Sequence, residues 1–358
     1  MADLFEIDFL DVETSKSGDA IAIRYEVSGN TYIHVVDAGF QSTGDAMVKH
    51  INAHYGAPTV IHNVVSTHSD GDHAGGLRTV LETFEVEALW ILRPWLYADV
   101  LIPYFTRFTS VENLKVRLRE IYPNLVALEE IAIRKNIPMY EPFQGAKIGH
   151  FIVMAPSYER YLNLIIESDK TPESTSQPAQ NALGEAVRSA VAKAINLIRS
   201  AWGDEVFSTQ ETSAENEMSV VQFARIDGQT ILLTADAGRE ALAEAADYAP
   251  TVGLTLPGID KFQVPHHGSR RNVSTEILDR LLGERLPSPP SSTTFTAMIS
   301  SAKADEAHPR RAVVRAMSHR GAFVACTEGK SFRTSHNAPD RPGWTTMTPM
   351  PYPDDQEE

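Results

Sequence analysis

The chain has 358 residues, of which 42% are hydrophobic and 22% are charged. This composition is typical of a globular protein with a large buried core. The formal net charge of −15 argues against broad binding to nucleic acid or to an anionic membrane, since such binding depends on Lys and Arg that displace counterions. A small phosphate-containing substrate stays compatible with this charge, because bound cations can supply the positive charge.

The sequence indicates neither a targeting signal nor a disulfide. Residues 1–13 are acidic and lack the cleavage pattern of a secretory signal, and no stretch approaches the roughly 20 apolar residues that cross a bilayer. Cys326 is the single cysteine, so neither an internal disulfide nor a cysteine-based zinc site can form. We therefore predict a cytoplasmic protein with no membrane partner.

The first ninety residues predict a hairpin followed by alternating helices and strands. β-Rich runs at 20–27 and 31–39 flank the turn sequence SGN, which is a hairpin signal. Helical and strand-like runs then alternate: a helix at 45–55, a strand at 60–67, a helix at 77–84 and a strand at 86–92. This order predicts helices packed on sheets.

The middle of the chain departs from that alternation. Residues 95–145 are mostly helical and predict an insertion, and a strand follows at 147–156. Polar, Pro-containing sequence then leads into a strongly helical run, so we predict a flexible linker plus a helix over about 169–203.

The C-terminal third repeats the organisation of the first. Two β-rich runs flank Asp227-Gly228, a second hairpin signal, and helical and strand-like runs alternate up to residue 333. Both parts together predict one domain over 1–333, with a duplicated core of two sheets and helices outside. Residues 334–358 are predicted to be a Pro-rich, acidic tail.

The sequence VVSTHSDGDHAGGL carries the strongest chemical signal. It places His68, Asp70, Asp72 and His73 at the end of a predicted strand, where a tight turn can aim several side chains at two neighbouring points. Such a segment could supply two cations that activate one water between them. Imidazole suits Zn, Fe and Mn, while carboxylates favour harder ions such as Mn. The competing interpretation is a polar turn that happens to be rich in His and Asp.

Two more predicted strands end in metal-capable residues. LLTADAG supplies Asp236, and FQVPHHGS supplies His266 and His267. A bridging carboxylate at Asp236 would neutralise part of the charge of two adjacent cations. Because three strand ends carry such residues, we favour the metal site over the polar turn.

The ordered set VVDAG, THSDGDHAGGL, NEMSVV, LLTADAG, VPHHGS and AHP resembles the metallo-β-lactamase superfamily of metallohydrolases. It is most similar to the branch with an HxDxDH motif that includes the hydrolase domain of bacterial DNA-uptake competence proteins. The resemblance covers roughly 5–92 and 146–333. It implies an α/β fold, an αββα sandwich of two mixed sheets with outer helices, and a site at the edge where the sheets open.

The resemblance also implies a ligand set for two divalent cations, Zn or Mn. His68 and Asp70 would hold the first, and Asp236 would lie between the two. The second would be held by Asp72, His73 and one of the pair His266 and His267. Asp37 would support the site without binding metal.

The chain departs from many relatives at two points. Asp70 stands where many carry histidine, as in the competence-like branch, and ENEMSVV lacks the metal-binding histidine that many place there. Asn216 and Ser219 occupy that neighbourhood, so the first cation has fewer protein ligands and the substrate could complete its coordination.

These residues suggest a mechanism. A water between two cations is acidified toward a pKa of ~7 and becomes a hydroxide nucleophile, which Asp72 could orient. Whichever of His266 and His267 is not a ligand could contact the leaving group or a phosphate oxygen. Ser269 and Arg270 are further candidates for this contact, and His308 either approaches the site or caps a helix.

We therefore predict a dinuclear metal-dependent hydrolase that cleaves a phosphodiester in a nucleotide or nucleic acid. The alternatives are hydrolysis of an ester, lactone or amide by the same hydroxide, and a catalytically idle binding or effector module. The substrate would contain a phosphate or an ester. The helical insertion is a candidate lid, homo-oligomer interface or docking surface for a protein partner.

Overall fold

The computed structural model describes residues 2–12, 14–171 and 197–358. The predicted first hairpin consists of the antiparallel strands β2 (Ala20–Val27) and β3 (Asn30–Ala38). Its turn holds Ser28 and Gly29 at positive φ, 53° and 80°, the backbone form that matches the right-handed twist of two paired strands. The local turn sequence thus sets the register of the hairpin.

The other described strands are short, as is common in globular proteins. They are β1 (Leu4–Phe9), β4 (Val60–Ile61), β5 (Asn63–Val65), β6 (Glu85–Val86), β7 (Leu89–Trp90), β8 (Met139–Tyr140), β9 (Lys147–Ile148), β10 (Phe151–Ala155), β11 (Leu197–Arg199), β12 (Val221–Ile226), β13 (Gln229–Leu233), β14 (Lys261–Gln263), β15 (Phe295–Ile299), β16 (Ala322–Cys326), β17 (Phe332–His336) and β18 (Asp355–Glu357).

The described helices begin mostly where the sequence has a capping residue or a turn signal. They are α1 (Gly44–His54), α2 (Gly71–Ala74), α3 (Leu77–Thr83), α4 (Ala98–Leu101), α5 (Val111–Ile121), α6 (Pro123–Lys135), α7 (Tyr158–Glu167), α8 (Ala214–Glu217), α9 (Arg239–Tyr248), α10 (Thr275–Leu282) and α11 (Arg311–His319). Within the described residues, no helix combines the length and apolar character needed to cross a bilayer.

Two mixed sheets, each of seven described strands, form the framework. The first has the order β17-β1-β2-β3-β5-β7-β8, antiparallel as far as β3 and parallel beyond it. The second has the order β9-β10-β12-β13-β14-β15-β16, antiparallel as far as β13 and parallel beyond it. The predicted similarity of the two halves is therefore confirmed at the level of sheet topology.

The two sheets face each other across a buried apolar core. His34 in β3 meets Phe151 in β10 with ring centroids 4.8 Å apart, and side chains of both sheets share one buried cluster. A second buried cluster joins the second sheet to α9, α10 and α11. The predicted αββα sandwich with outer helices is confirmed.

Two of the segments outside the predicted core contain regular structure. Within the insertion predicted at 95–145, β8 joins the edge of the first sheet. Residues 172–196 of the predicted linker and helix lie outside the described residues, and residues 197–199 form β11 rather than the end of that helix. β11 pairs with β18, so part of the predicted tail folds back onto the core.

The tail is fixed by specific polar contacts. Arg341 donates to Glu6 and Asp8, and the carboxylate of Glu357 accepts from the first backbone N–H groups of α11, at Arg311 and Ala312. A carboxylate at a helix N-terminus satisfies donors that the helix itself leaves free. These contacts hold parts of residues 334–358 against the core.

Candidate metal centre

The candidate residues lie at or just after four strand ends, at one edge of the sandwich. Asp37 is near the end of β3, His68 follows β5, Asp236 follows β13 and His266 follows β14. β3 is parallel to β5, and β13 is parallel to β14, so within each sheet these carboxyl ends lie at the same edge.

The one-turn helix α2 carries the remaining candidates of the first sheet. Asp70 precedes it and Asp72 and His73 lie within it. Gly76 follows, and a Cβ at this position would lie 2.0 Å from the carbonyl oxygen of Ala38. Only glycine permits so close an approach, so the GG sequence lets α2 pack directly on the end of β3.

Asp236 lies at the middle of the cluster, and each of its oxygens faces two imidazoles. Oδ1 is 3.2 Å from Nε2 of His73 and 3.9 Å from Nε2 of His267. Oδ2 is 3.6 Å from Nε2 of His266 and 3.9 Å from Nε2 of His68. Each oxygen of the carboxylate thus has two imidazole nitrogens within 4 Å, and the rings of His68 and His73 also lie 4.2 Å apart.

Two further carboxylates accompany these imidazoles. Oδ2 of Asp70 lies 4.0 Å from Nε2 of His68, and its Oδ1 is paired with the Lys170 ammonium at 2.8 Å. Oδ2 of Asp72 lies 3.7 Å from Nε2 of His267. Three sets of possible ligand atoms lie within 4.8 Å of one another among the described residues: Asp37, His68 and His73; Asp72, His73 and His267; and Asp19, Asp236 and His267.

Hydrogen bonds to Nδ1 orient the imidazoles of the first sheet. Nδ1 of His73 donates to Asp37 at 2.8 Å. Nδ1 of His68 lies 3.1 Å from the Thr67 hydroxyl, which itself donates to Asp37 and so accepts from His68. Both assignments follow from the hydrogen-bond network, and both leave the lone pair of Nε2 facing the cluster.

The imidazoles of the second sheet are oriented in the same way. Nδ1 of His267 donates to the Ser300 carbonyl at 3.0 Å. Nδ1 of His266 lies between two amide groups, 3.0 Å from Oδ1 of Asn272 and 2.9 Å from the amide nitrogen of Asn216, and the amide nitrogen of Asn272 donates to the Asp236 carbonyl. Such outer hydrogen bonds are how proteins fix the tautomer of metal-binding histidines.

The atoms that face one another within the cluster are buried and have no hydrogen-bond partners. They are Nε2 of His68, His73 and His267 and Oδ1 of Asp236. Leaving buried acceptors unpaired is costly, and bound cations would satisfy them. Ligands about 2.1 Å from a tetrahedral zinc ion lie about 3.4 Å apart, close to the observed separations. The donor set therefore fits a divalent metal.

The pKa shifts within the cluster also support a divalent cation. Burial would lower the pKa of His73 and His267, but Asp236 and the neighbouring carboxylates raise both, His267 to about 9 and His73 well above its usual value. Burial would raise the pKa of Asp236, but the charges of His266, His73 and His267 hold it well below its usual value. The carboxylates thus draw positive charge into the site, which divalent cations can supply.

Two residues that surround the site were missed in the sequence. Asp19 is buried and accepts from Gln263 at 2.6 Å, with its carboxylate oxygens 3.8 Å from Nδ1 of His73 and of His267; burial raises its pKa. Asn272 is also buried. Because Ala20 pairs with Ala38, the register of the hairpin places Asp19 beside the end of β3 and could have revealed it. No local pattern marks Asn272.

Four residues at the site have left-handed backbone conformations. They are Asp37, Ala235, His266 and His267, with φ between 46° and 56°. This conformation costs a residue with a Cβ roughly 1 kcal/mol or more, and such strain concentrates at functional sites. In His266 and His267 it sends consecutive side chains to opposite oxygens of Asp236.

Comparison with known proteins agrees with this architecture. Residues 17–111 match the family model described as the metallo-beta-lactamase superfamily, a segment that includes Asp19, Asp37 and the residues from His68 to His73. The chain has a metallo-β-lactamase fold. The matched segment spans about a quarter of the chain and is similar to that superfamily.

One solved structure that resembles the chain is described as "Crystal structure of hydrolase AbOPH in beta lactamase superfamily". It is 10% identical, and the match covers 68% of this chain and 75% of that chain with a TM-score of 0.31. No curated protein matches the sequence.

Within this metallo-β-lactamase fold, the predicted substrate residues have different environments. Asn216 lies 2.9 Å from Nδ1 of His266, and the ring of His308 stacks on His266 at 5.5 Å. Ser219 is fully buried, and Ser269 accepts from the backbone of Arg271. Arg270 instead donates to the carbonyl of Glu358, so the structure does not bring its side chain to the cluster.

A narrow, mainly apolar recess adjoins the candidate metal centre. His68 forms part of its wall, and the other main contributors are Leu92, Pro94, Tyr122, Leu125, Tyr161 and Met218. Among the described residues that line it there is no lysine or arginine. Its volume is about 10 Å³, which is room for about one water molecule.

Proposed function

We propose that the chain is a metal-dependent hydrolase that holds two divalent cations, zinc or manganese, on either side of Asp236. The supporting observation is the convergence of buried Nε2 atoms without partners on the two oxygens of this carboxylate. The proposed ligands are His68, Asp70 and His266 for one cation and Asp72, His73 and His267 for the other. In this proposal both residues of the His266-His267 pair bind metal.

Divalent cations bound there would supply a Lewis acid and would acidify a water at neutral pH. The chain's own residues would orient the reactants. Asp72 keeps 28% of its side chain exposed, so its carboxylate is accessible to accept a proton from the nucleophile. His308 is held by Asp305 at 3.2 Å beside His266, where it would hold a proton at the leaving-group oxygen.

A phosphodiester is the substrate class that we propose first. The support is Asp70, a carboxylate where many superfamily members carry histidine, as in the competence-like branch that the sequence resembles. The net charge of −15 favours a small diester over a long nucleic acid. We also propose the cytoplasm as its location, because Cys326 is the one cysteine of the sequence.

Hydrolysis of a carboxylic ester, lactone or amide is the second candidate. The same two cations would polarise a carbonyl as readily as a phosphoryl group.

The test is hydrolysis of bis-p-nitrophenyl phosphate against a panel of esters and lactones, with Mn and Zn added separately to metal-free protein. We expect metal-dependent phosphodiesterase activity that is absent in Asp236→Asn. Activity on esters alone would replace the first candidate with the second. Fewer than one bound metal per chain and no turnover would instead favour a binding or effector module.

A partner surface on the insertion remains part of this proposal. Leu96, Val100 and Tyr104 are 42%, 44% and 53% exposed and lie in three successive short helical turns. Sedimentation of the whole chain tests whether this face joins two copies. If the protein is purely monomeric, this face would instead have to bind a different protein.

A further inference from the structure

We propose that the Lys170 ammonium binds a negatively charged oxygen of the substrate and so selects an anionic phosphodiester over a neutral ester. This inference rests on the proposed hydrolase function, because it places the reacting phosphoryl group at the candidate metal centre. It goes further by assigning recognition of the substrate's charge to one residue. No motif in the sequence marks that residue, which lies at the start of the segment predicted to be a linker.

Lys170 brings a positive charge to the candidate metal centre. Of the lysines and arginines that the structure describes, only Lys170 forms an ion pair with a carboxylate of the centre, 2.8 Å from Oδ1 of Asp70. The other oxygen of Asp70, Oδ2, faces Nε2 of His68 at 4.0 Å. One carboxylate therefore lies between the ammonium and the buried imidazole, so the ammonium is within reach of a group bound beside His68.

Hydrogen bonds hold the turn that carries Lys170. The turn directly follows α7, and Ser168 and Thr171 on either side of Lys170 are buried. The Ser168 hydroxyl donates to Glu215 and accepts from the backbone N–H of Lys170 at 3.1 Å. The Thr171 hydroxyl donates to the Ser168 carbonyl at 2.8 Å. The backbone of the turn is therefore fixed, while the flexible four-carbon stem of the lysine lets its ammonium move between Asp70 and a ligand.

The ion pair lies on the open side of the centre. The side chains of Lys170 and Asp70 are 40% and 34% exposed, whereas those of His68 and His73 are buried. The pair therefore borders the solvent side, from which a substrate reaches the buried imidazoles. An ammonium has three hydrogens to donate, so it can hold Asp70 and a substrate oxygen at the same time.

The charge of the substrate decides how much this contact contributes. A phosphodiester is negatively charged at neutral pH, and an ammonium makes a stronger hydrogen bond to a charged oxygen than to a neutral one. A carboxylic ester or a phosphotriester carries no such charge. Because Lys170 is partly exposed, solvent screens the contact, and we expect it to change affinity about tenfold rather than about a hundredfold.

The first test measures binding without turnover. Methylphosphonate, a small anion, is titrated by calorimetry into the wild type and Lys170→Gln, both saturated with manganese. We expect the variant to bind it about tenfold more weakly and Lys170→Arg, which keeps the positive charge, to retain most of the affinity. Lys49→Gln is the matched control, because Lys49 is exposed on α1, and it should bind like the wild type. Equal affinity in the wild type and Lys170→Gln, or no binding to the wild type, would overturn the proposal.

The second test separates substrate contact from a structural role. Bis-p-nitrophenyl phosphate is an anion, and diethyl p-nitrophenyl phosphate is a neutral triester with the same leaving group. In Lys170→Gln we expect KM for the anion to rise about tenfold and KM for the triester to stay unchanged. An equal loss on both substrates would mean that Lys170 supports the centre without contacting substrate, which contradicts the proposal.

A third measurement distinguishes failure of this proposal from failure of the proposed function. Acetic anhydride labels lysines, and mass spectrometry follows the labelling of Lys170 in the metal-loaded protein with and without methylphosphonate. We expect the anion to slow labelling of Lys170 and to leave that of Lys49 unchanged; unprotected Lys170 would refute its role. If Lys170 is protected but only neutral esters are cleaved, the phosphodiester function is wrong and the anion site remains. Phosphodiester hydrolysis with an unchanged KM in Lys170→Gln would leave the function and refute the role of Lys170.

Discussion

The candidate metal centre and a second cluster around Glu205 both bury histidine beside carboxylate, and they differ in what completes them. In the Glu205 cluster, the carboxylate accepts from His319 at 3.0 Å, from Arg320 at 2.6 Å and from Thr275 at 2.8 Å. Nε2 of His319 lies 3.2 Å from the backbone N–H of Gly203, which donates to it. Around Asp236, three Nε2 atoms and one carboxylate oxygen have no partner. Nε of Arg320 also lacks a partner, but both oxygens of Glu205 are paired. A cluster with its carboxylate fully paired stabilises a fold, whereas one that leaves several facing acceptors unpaired is suited to a ligand.

The largest expected effect separates the two clusters by function. Asp236→Asn removes the charge that we propose lies between two cations, so we expect tight metal binding to be lost and turnover to fall by at least about 1,000-fold. Metal content by elemental analysis and hydrolysis of bis-p-nitrophenyl phosphate measure this. Zinc or manganese should also raise the melting temperature of the wild type but not of the variant. An active, metal-replete Asp236→Asn protein would contradict the assignment.

A substitution in the Glu205 cluster should lower stability without changing metal binding. Glu205→Gln leaves Arg320 and His319 buried without their carboxylate, so we expect a loss of about 3 kcal/mol in the free energy of unfolding with normal metal content. Denaturant unfolding measures the loss. If Glu205→Gln instead removed the metal, the two clusters would not be independent.

The pH dependence of stability sharpens this contrast. Burial would raise the pKa of Glu205, but His319 and Arg320 lower it from 4.5 to about 2. The stabilisation is therefore complete above pH 4.5 and is lost as the pH falls toward 2. Acid unfolding of the wild type should show this loss, and Glu205→Gln should show a shallower slope over the same interval. Equal slopes would mean that Glu205 does not contribute.

A smaller effect tests how the metal centre is oriented. Asp37→Asn weakens the acceptor that fixes Nδ1 of His73, so we expect a 10- to 100-fold loss of metal affinity with the fold preserved. Competition with a chelator measures the affinity. Thr275→Val, which removes one hydrogen bond from the Glu205 cluster, is the matched control and should leave metal affinity unchanged.

The smallest expected effect concerns the ion pair between Lys170 and Asp70. The ammonium lies 2.8 Å from one oxygen of a proposed ligand, and its charge opposes a cation there. Lys170→Gln should therefore tighten binding of the more weakly held metal about two- to fivefold, the scale of a partly exposed ion pair. Titration of metal-free protein with manganese would detect it, and a weaker affinity would show that Lys170 orients Asp70 instead.

Much of the fold could be predicted from local patterns. The hairpin turn at Ser28-Gly29 and the alternation of helices and strands depend on neighbours in the sequence, and both are present. The tail could not be predicted in this way. Its composition is that of a loop, but Arg341 and Glu357 are fixed by groups more than 40 residues distant along the chain.

The sequence by itself determined which residue types stand at the ends of parallel strands. His68, Asp236 and His266 follow apolar runs, and strand ends of one sheet meet at one edge, so their proximity was predictable. Only the tertiary structure decided how the pair His266 and His267 divides between the two oxygens of Asp236. That division depends on left-handed backbone angles and on Nδ1 contacts with Asn272 and Ser300, which packing imposes and no local pattern encodes.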